Sequence, residues 1–179
     1  MAVKADGNWR SFRHRNYRIL FPANAASNIG TWAQRIAQDW LILQLTGNSG
    51  TYLGLVTAVQ FAPVLFFSLH GGVLADRVNK RKLLIATNFI GALSSLGLGI
   101  LVLIGQVQIW HVFFFALALG ISSALDAPIR QSFTSEVVGQ SDIANAVSLN
   151  SANFNAGRLV GPALSGFLIA RFDTGPSFL

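Results

Sequence analysis

The stretch Gly72-Val73-Leu74-Ala75-Asp76-Arg77-Val78-Asn79-Lys80-Arg81-Lys82-Leu83-Leu84 places one acid and four bases between two long apolar runs. The apolar run before it covers residues 52–74, and the run after it covers residues 83–104. A helix needs about 20 mainly apolar residues to cross a bilayer, and both runs are long enough. The stretch therefore predicts a tight, charged turn between two membrane helices.

The composition of the whole chain also indicates a lipid environment. Apolar residues make up 52% of the 179 residues, charged residues make up 11%, and the mean hydropathy is +0.50. This leaves too little polar surface to cover a soluble domain of this length. The formal charge of +6 does not indicate a nucleic-acid partner, because the bases lie at the ends of apolar runs.

Five apolar runs are candidate spans, which predicts an all-α polytopic membrane protein. They cover residues 17–45, 52–74, 83–104, 109–125 and 143–172, and we expect the fourth to continue towards Arg130. Two of the connections, 47–50 and 105–108, are short and uncharged, whereas 75–82 and 126–142 are longer and charged or polar. This alternation predicts that the two kinds of connection lie on opposite sides of the membrane.

The distribution of Lys and Arg predicts the orientation of the chain. Ten of the thirteen lie before or at the very start of the first run, where Arg18 is the last of them, or in the connections 75–82 and 126–142. Basic residues favour the cytoplasmic side of short loops. We therefore expect residues 1–16 to form a basic cytoplasmic segment and residues 17–179 to form a multi-pass bundle in the cell (inner or plasma) membrane. The first run is expected to remain as an anchor, because no signal-peptide core precedes it.

The first run carries a polar stripe at helical spacing, which we call the α1 stripe. Its members are Asn24, Ser27, Asn28, Thr31, Gln34, Arg35, Gln38 and Asp39. Unsatisfied polar groups in hydrocarbon cost several kcal/mol each, so this face requires water or polar partners. We expect the stripe to line a central cavity. Helix-to-helix hydrogen bonding is the alternative, and it suits isolated polar residues better than eight on one face.

Asp39 lies well inside an apolar run, and Arg35 precedes it by one helical turn. One interpretation is that Asp39 carries a proton, because burial disfavours a charged carboxylate whereas a nearby arginine favours it. The other is a permanent ion pair between residues four apart, in which each side chain only neutralises the other. The sequence leaves both open.

The charged turn resembles the loop motif between the second and third helices of the major facilitator superfamily, Gly-x-Leu-Ala-Asp-Arg-x-Gly-Arg-Lys-x-x-Leu. Asn79 replaces the second glycine, and we expect it to tolerate the left-handed conformation of a tight turn. The resemblance implies a cytoplasmic gate formed by Gly72, Asp76, Arg77, Lys80 and Arg81. In that gate Asp76 would contact Arg81 and the start of a helix in the other half of the protein.

The fifth run resembles the superfamily's antiporter motif at Gly157, Gly161, Pro162 and Gly166, with Ser148 and Ser165 in place of its other glycines. The resemblance implies a helix-packing and gating role typical of exporters. Arg158 lies in the middle of this run, and we expect it to face the cavity and to pair with Asp39, a helical carbonyl or an anionic substrate. The superfamily often has a proton-coupling arginine in the fourth helix, and residues 109–125 contain none.

The residues around Asp126 and the end of the chain resemble the drug and siderophore exporters of the superfamily. Complete members have twelve helices in two six-helix halves, so we expect the chain to be five helices of a truncated amino-terminal half. The implied function is secondary active efflux of a small organic molecule, with protons, the lipid bilayer and the missing carboxy-terminal half as partners. We expect no enzyme activity, cofactor or metal. A membrane-integral scaffold or enzyme subunit, or a solute importer, is the alternative.

The topology can be tested with single cysteines, since the chain has none of its own. We predict that cysteines placed at Asn48 and Asn79 of the full-length protein react with an impermeant reagent from opposite sides of the membrane, with Asn79 on the cytoplasmic side. Labelling of both positions from the same side of intact cells would contradict the predicted orientation.

Overall fold

The computed structural model describes residues 9–77, 79–172 and 174–178, with the side chains of residues 68–77 left out. Within these ranges the chain forms five long α-helices and two short 3-10 helices. The α-helices are α1 (Arg15–Leu45), α2 (Gly50–Arg77), α3 (Lys80–Leu103), α4 (Ile109–Val138) and α5 (Ile143–Phe172), and the 3-10 helices are Arg10–Arg13 and Gly175–Phe178. The predicted all-helical fold is confirmed.

Three of the helices in the described ranges are long and apolar enough to cross a membrane. The apolar segments are Gly50–Phe67 in α2, Lys80–Leu103 in α3 and Ile109–Val138 in α4. The other two, α1 and α5, match the predicted positions and are 31 and 30 residues long, but they carry more polar residues. That all five helices cross the membrane remains a prediction.

The structure corrects the extent of both predicted charged connections. Residues 75–77 still belong to α2, and α3 begins at Lys80, so only residues 78 and 79 separate the two helices. In the same way α4 continues to Val138 through Pro128, and the connection to α5 is residues 139–142. A helix satisfies its own backbone hydrogen bonds, so it can continue into polar sequence beyond its apolar segment.

Asn79 does not adopt the expected left-handed conformation. Its φ is −65° and its ψ is 103°, and it occupies the N-cap position of α3. The Asn79 Oδ1 accepts a hydrogen bond of 3.1 Å from the backbone N–H of Lys82. Asn is therefore used here as a helix cap, a role in which it satisfies one of the free N–H groups of the first turn.

Glycines set the closest approaches between helices. A Cβ atom built at Gly161 of α5 would lie 2.7 Å from the Ile29 carbonyl oxygen of α1, and one built at Gly157 would lie 2.9 Å from the Asn28 Cβ. Gly120 of α4 lies against the backbone of Gln60 in α2 in the same manner. Small residues permit such contacts between backbones, so α5 packs tightly on α1, and α4 on α2.

Two apolar clusters close the ends of the bundle. One contains Ile42, Leu98 and Val112 and lies near the uncharged turns. The other is centred on Tyr17 and Val138 and joins the starts of α1 and α5 to the end of α4. The polar residues of α1 from Asn24 to Arg35 lie between these two clusters along the helix.

The segment before α1 is held against the start of α5. Asp142 accepts from the His14 Nε2 at 2.9 Å, and its Oδ1 lies 3.4 Å from the Arg10 Nε. Ser11 Oγ donates to the Asn145 Oδ1 at 2.8 Å. These contacts connect the beginning and the last helix of the described chain.

The glycine contacts lead to a paired prediction. Gly161→Ala should lower the stability of the full-length protein by about 1–3 kcal/mol, because the added methyl group forces α5 away from α1. Gly166→Ala should be neutral or stabilising by up to about 1 kcal/mol, because alanine favours helix. A Cβ built at Gly166 has no atom within 4 Å. Thermal unfolding of the purified variants measures both changes, and equal losses would show that the α1–α5 contact is not tight.

Candidate functional site

A cavity of about 1280 Å³ lies between α1, α3, α4, α5 and the final 3-10 helix. Many of its lining residues are Asn, Ser, Thr or charged residues, although the surrounding helices are rich in apolar residues. Such a surface requires water or a polar ligand, since hydrocarbon cannot satisfy its hydrogen-bonding groups. The cavity is therefore the candidate functional site.

Six of the eight residues of the α1 stripe line the cavity. They are Asn24, Ser27, Asn28, Thr31, Gln34 and Arg35. Of the predicted cavity residues, the structure thus brings Asn28, Gln34 and Arg35 together on one wall. Their part in substrate binding or coupling remains a prediction.

The other three predicted cavity residues lie outside this described lining. Gln38 is fully buried. Neither amide atom of Gln38 has a hydrogen-bond partner among the described residues. Asp39 is half-buried, and Arg158 is exposed in the middle of α5. Arg158 is nevertheless next to the cavity, because its Cζ lies 5.7 Å from the ring centre of Trp32, a lining residue.

Arg35 and Asp39 do not form a direct ion pair, because no guanidinium nitrogen of Arg35 lies within 4 Å of a carboxylate oxygen of Asp39. The Arg35 Cζ instead lies 4.8 Å from the ring centre of Trp32 and 4.9 Å from that of Phe61. At these distances the rings attract the cation through their electron-rich faces. This geometry weighs against a permanent pair in which Asp39 and Arg35 only neutralise each other.

An ion pair that the sequence interpretation missed joins three helices at one end of the cavity. Arg130 Nε donates to the Asp126 Oδ2 at 2.6 Å, and Arg130 Nη1 donates to the Asn24 Oδ1 of α1. Asp126 Oδ1 accepts from the Thr87 Oγ1 of α3 at 3.1 Å. Asn88 connects the same carboxylate to Ser27, whose Oγ donates to the Asn88 Oδ1 at 2.8 Å.

This network was missed because residues 126–142 were counted as a connection, although the fourth run was expected to continue towards Arg130. The fourth helix does contain an arginine, Arg130, which lies beyond the apolar run 109–125 and in the direction in which that run was expected to continue. Asp126 and Arg130 are four residues apart, a spacing that brings opposite charges together on a helix, and this signal was available in the sequence. Pro128 between them favoured a turn over a helix.

The structure describes only some residues of the predicted cytoplasmic gate, and all four residues of the antiporter-like motif. The side chains of Asp76 and Arg77 are not described, and neither are the surroundings of Gly72. Lys80 donates from its Nζ to the Glu136 Oε1, which connects the start of α3 with the end of α4, and Arg81 is exposed. In the fifth-helix motif Gly157 and Gly161 contact α1, Pro162 lies inside α5, and Gly166 faces open space.

The network at Asp126 predicts strong coupling between its two charges. Arg130→Gln alone leaves the mostly buried Asp126 carboxylate without its cation, and we expect a loss of stability on the order of 3 kcal/mol. The double variant Asp126→Asn with Arg130→Gln should recover part of this loss, because no unpaired charge remains. Thermal unfolding provides the measurement, with exposed Lys82→Gln as the control. Additive losses in the double variant would contradict the coupling.

Comparison with known proteins places the chain in a family. The model of the transmembrane secretion effector family, within the major facilitator superfamily, matches residues 6–179. No solved structure matches.

Three relatives of this chain are named as a transporter, an efflux pump and an exporter. It is 30% identical over 163 residues to the staphyloferrin A transporter of Staphylococcus aureus, covering 90% of this chain and 41% of that protein. It is 29% identical over 157 residues to the multidrug efflux pump Tap of Mycolicibacterium fortuitum, covering 85% of this chain and 38% of the relative. It is 22% identical over 157 residues to the enterobactin exporter EntS of Shigella flexneri, covering 88% of this chain and 38% of that protein.

The chain thus spans about two fifths of the length of these curated relatives. The family model covers nearly the whole chain, and its helices carry apolar segments long enough to cross a membrane. The chain belongs to the major facilitator superfamily of membrane transporters, in its transmembrane secretion effector family.

Proposed function

We propose that the full-length protein is a secondary active exporter that moves a small organic molecule out of the cell by alternating access, driven by inward proton flow. The observation that carries this proposal is a cavity between the helices with many polar lining residues, in a chain whose relatives include a multidrug efflux pump and an enterobactin exporter by name. The chain contributes residues 17–179 as the amino-terminal half, with residues 1–16 in the cytoplasm.

In this mechanism the chain binds and changes conformation, and it makes or breaks no covalent bond. The α1 stripe supplies hydrogen-bonding groups along one wall of the path. The glycine contacts keep α1 and α5 together as one rigid element. The gate residues Gly72, Asp76, Arg77, Lys80 and Arg81 close the cytoplasmic side by contact with the other half. The cavity then opens to one side at a time as the halves rock against each other.

Asp39 is the residue proposed to carry the proton. It is half-buried in α1 and has no direct ion pair with a described basic residue. A carboxylate that is not held by a permanent partner can release and bind a proton as its surroundings change between the two open states. Protonation removes its charge, which lowers the cost of moving it through a region of low dielectric.

The proposal can be tested by transport in everted membrane vesicles that contain the full-length protein. With an imposed pH gradient, we expect the vesicles to accumulate at least one of the probes ethidium, rhodamine 6G and carboxyfluorescein, and to lose it when a protonophore collapses the gradient. Asp39→Asn should abolish this uphill accumulation yet retain downhill exchange, because asparagine preserves shape and hydrogen bonding but does not titrate.

Asp6→Asn is the matched control, since it removes a carboxylate from the segment before α1. It should retain uphill accumulation. Full uphill accumulation by Asp39→Asn would exclude Asp39 as the proton carrier. Accumulation that persists after the gradient collapses would exclude proton coupling, and probe movement only towards the cytoplasmic face would exclude export.

A further inference from the structure

We propose that Arg35 and Arg158, which converge on the ring of Trp32, form a binding site for an anionic group of the transported molecule. The substrate class would then be an organic anion with an apolar portion. This inference rests on the proposed export function and concerns the middle of the same transport path.

The two arginines come from different helices and meet at one aromatic ring. The Arg35 Cζ of α1 lies 4.8 Å from the Trp32 ring centre, and the Arg158 Cζ of α5 lies 5.7 Å from it. The two guanidinium groups are thus no further apart than the sum of these distances. The tight contact of Gly157 and Gly161 with α1 fixes this spacing.

The charge around this ring is not balanced by the described protein. The described ion pairs within 4 Å use Arg10, His14, Lys80 and Arg130 as cations. In the same described ranges Arg35 and Arg158 have no such partner, and Asp39 is the one acid within a turn of Arg35. Even an ionised Asp39 leaves one net positive charge, which favours an anionic ligand.

The position of Arg158 makes lipid an unsuitable environment for it. It lies near the middle of α5, where the neighbouring Leu159 is 76% exposed, and Arg158 is exposed as well. A guanidinium group at membrane depth requires a counter-charge or water, because hydrocarbon cannot solvate it. Arg158 lies outside the described cavity lining but beside Trp32, which lines it, and we infer that its counter-charge is a ligand in the transport path.

Unpaired hydrogen-bond donors on Arg35 and on the adjacent Gln34 point to the same ligand chemistry. The Arg35 Nε and the Gln34 Nε2 have no acceptor among the described residues, although Gln34 is only 5% exposed and lines the cavity. A ligand rich in acceptor atoms, such as a carboxylate, satisfies such groups through charge-assisted hydrogen bonds.

Aromatic rings supply the apolar part of the site. Trp32 packs edge-on against Phe154 with ring centres 5.8 Å apart, and the Phe61 ring centre lies 4.9 Å from the Arg35 Cζ. Phe61 and Phe154 are 43% and 48% exposed, so both can contact a ligand. A molecule that combines a carboxylate with a flat apolar body fits this arrangement of cations and rings.

Binding of two dyes with the same ring system tests the proposal without any ion gradient. Carboxyfluorescein is anionic and rhodamine 6G is cationic, and both are xanthenes. Fluorescence anisotropy with the purified full-length protein should show tighter binding of carboxyfluorescein. Arg35→Gln and Arg158→Gln should each weaken it about tenfold, the effect of one charge-assisted hydrogen bond. Arg35→Lys and Arg158→Lys should bind more tightly than the Gln variants, because they retain the charge.

Arg171→Gln is the matched control, an exposed arginine at the end of α5. It should leave the affinity for carboxyfluorescein unchanged. Tighter binding of rhodamine 6G than of carboxyfluorescein by the wild type would overturn the proposal. Gln variants that bind carboxyfluorescein as tightly as the wild type would also overturn it. If a carboxylate elsewhere in the full-length protein neutralises Arg158, Arg158→Gln lowers the melting temperature without changing dye affinity, which also overturns it.

The two proposals fail in different ways. Arginine-dependent dye binding together with vesicles that show no uphill export would support the anion site and contradict the export function. Uphill export of rhodamine 6G by all four arginine variants, with dye binding indifferent to the arginines, would support export and overturn the anion site.

Discussion

The close contact between α1 and α5 is the constraint on which the rest of the bundle depends. These are the two helices that carry the most polar residues, so neither can expose its whole surface to lipid. Because Gly157 and Gly161 have no side chains, the backbones of α1 and α5 can approach each other closely. A Cβ atom at Gly157 would overlap Asn28, and one at Gly161 would overlap Ile29. The polar surfaces are then turned towards each other and towards α4, and the cavity forms between them.

The bundle alternates apolar and polar layers along its long axis. Leu98 and Val112 belong to a dry cluster at one end, and Tyr17 and Val138 to another at the opposite end. The polar layer lies between them, where the Asp126–Arg130 pair bonds to side chains of both α1 and α3. Burial of apolar side chains at the two ends offsets the cost of enclosing these polar groups.

The sequence predicts the helices well and their ends poorly. Apolar runs locate all five, because the length needed to cross a bilayer is a strong constraint. The run ending at residue 125 misses the last part of α4, because Pro128 and the charges after it resemble a turn, whereas the structure tolerates this proline inside the helix. Asn79 was correctly located at a helix boundary, but its conformation was wrong because a cap and a left-handed turn both favour asparagine.

The same reasoning explains which parts of the site were predictable. A helical period is a property of one segment, so the α1 stripe was visible in the sequence, and six of its residues line the cavity. Two contacts of the site join residues that lie more than 100 positions apart in the sequence. They are the Arg130–Asn24 hydrogen bond and the approach of Arg158 to Trp32, where it meets Arg35. Such contacts depend on how helices pack, and one sequence without related sequences carries little information about them.

The attachment of the segment before α1 to the start of α5 has a consequence for biosynthesis. About 100 residues separate the end of α1 from Ile143, so α1 leaves the ribosome long before its main neighbour exists. At typical rates of synthesis this interval is roughly 5 to 20 s. During it, the polar face of α1 and the side chains of Ser11 and His14 lack the partners that they have in the folded chain. Until α5 is made, the polar face of α1 therefore requires water or another protein surface in its place.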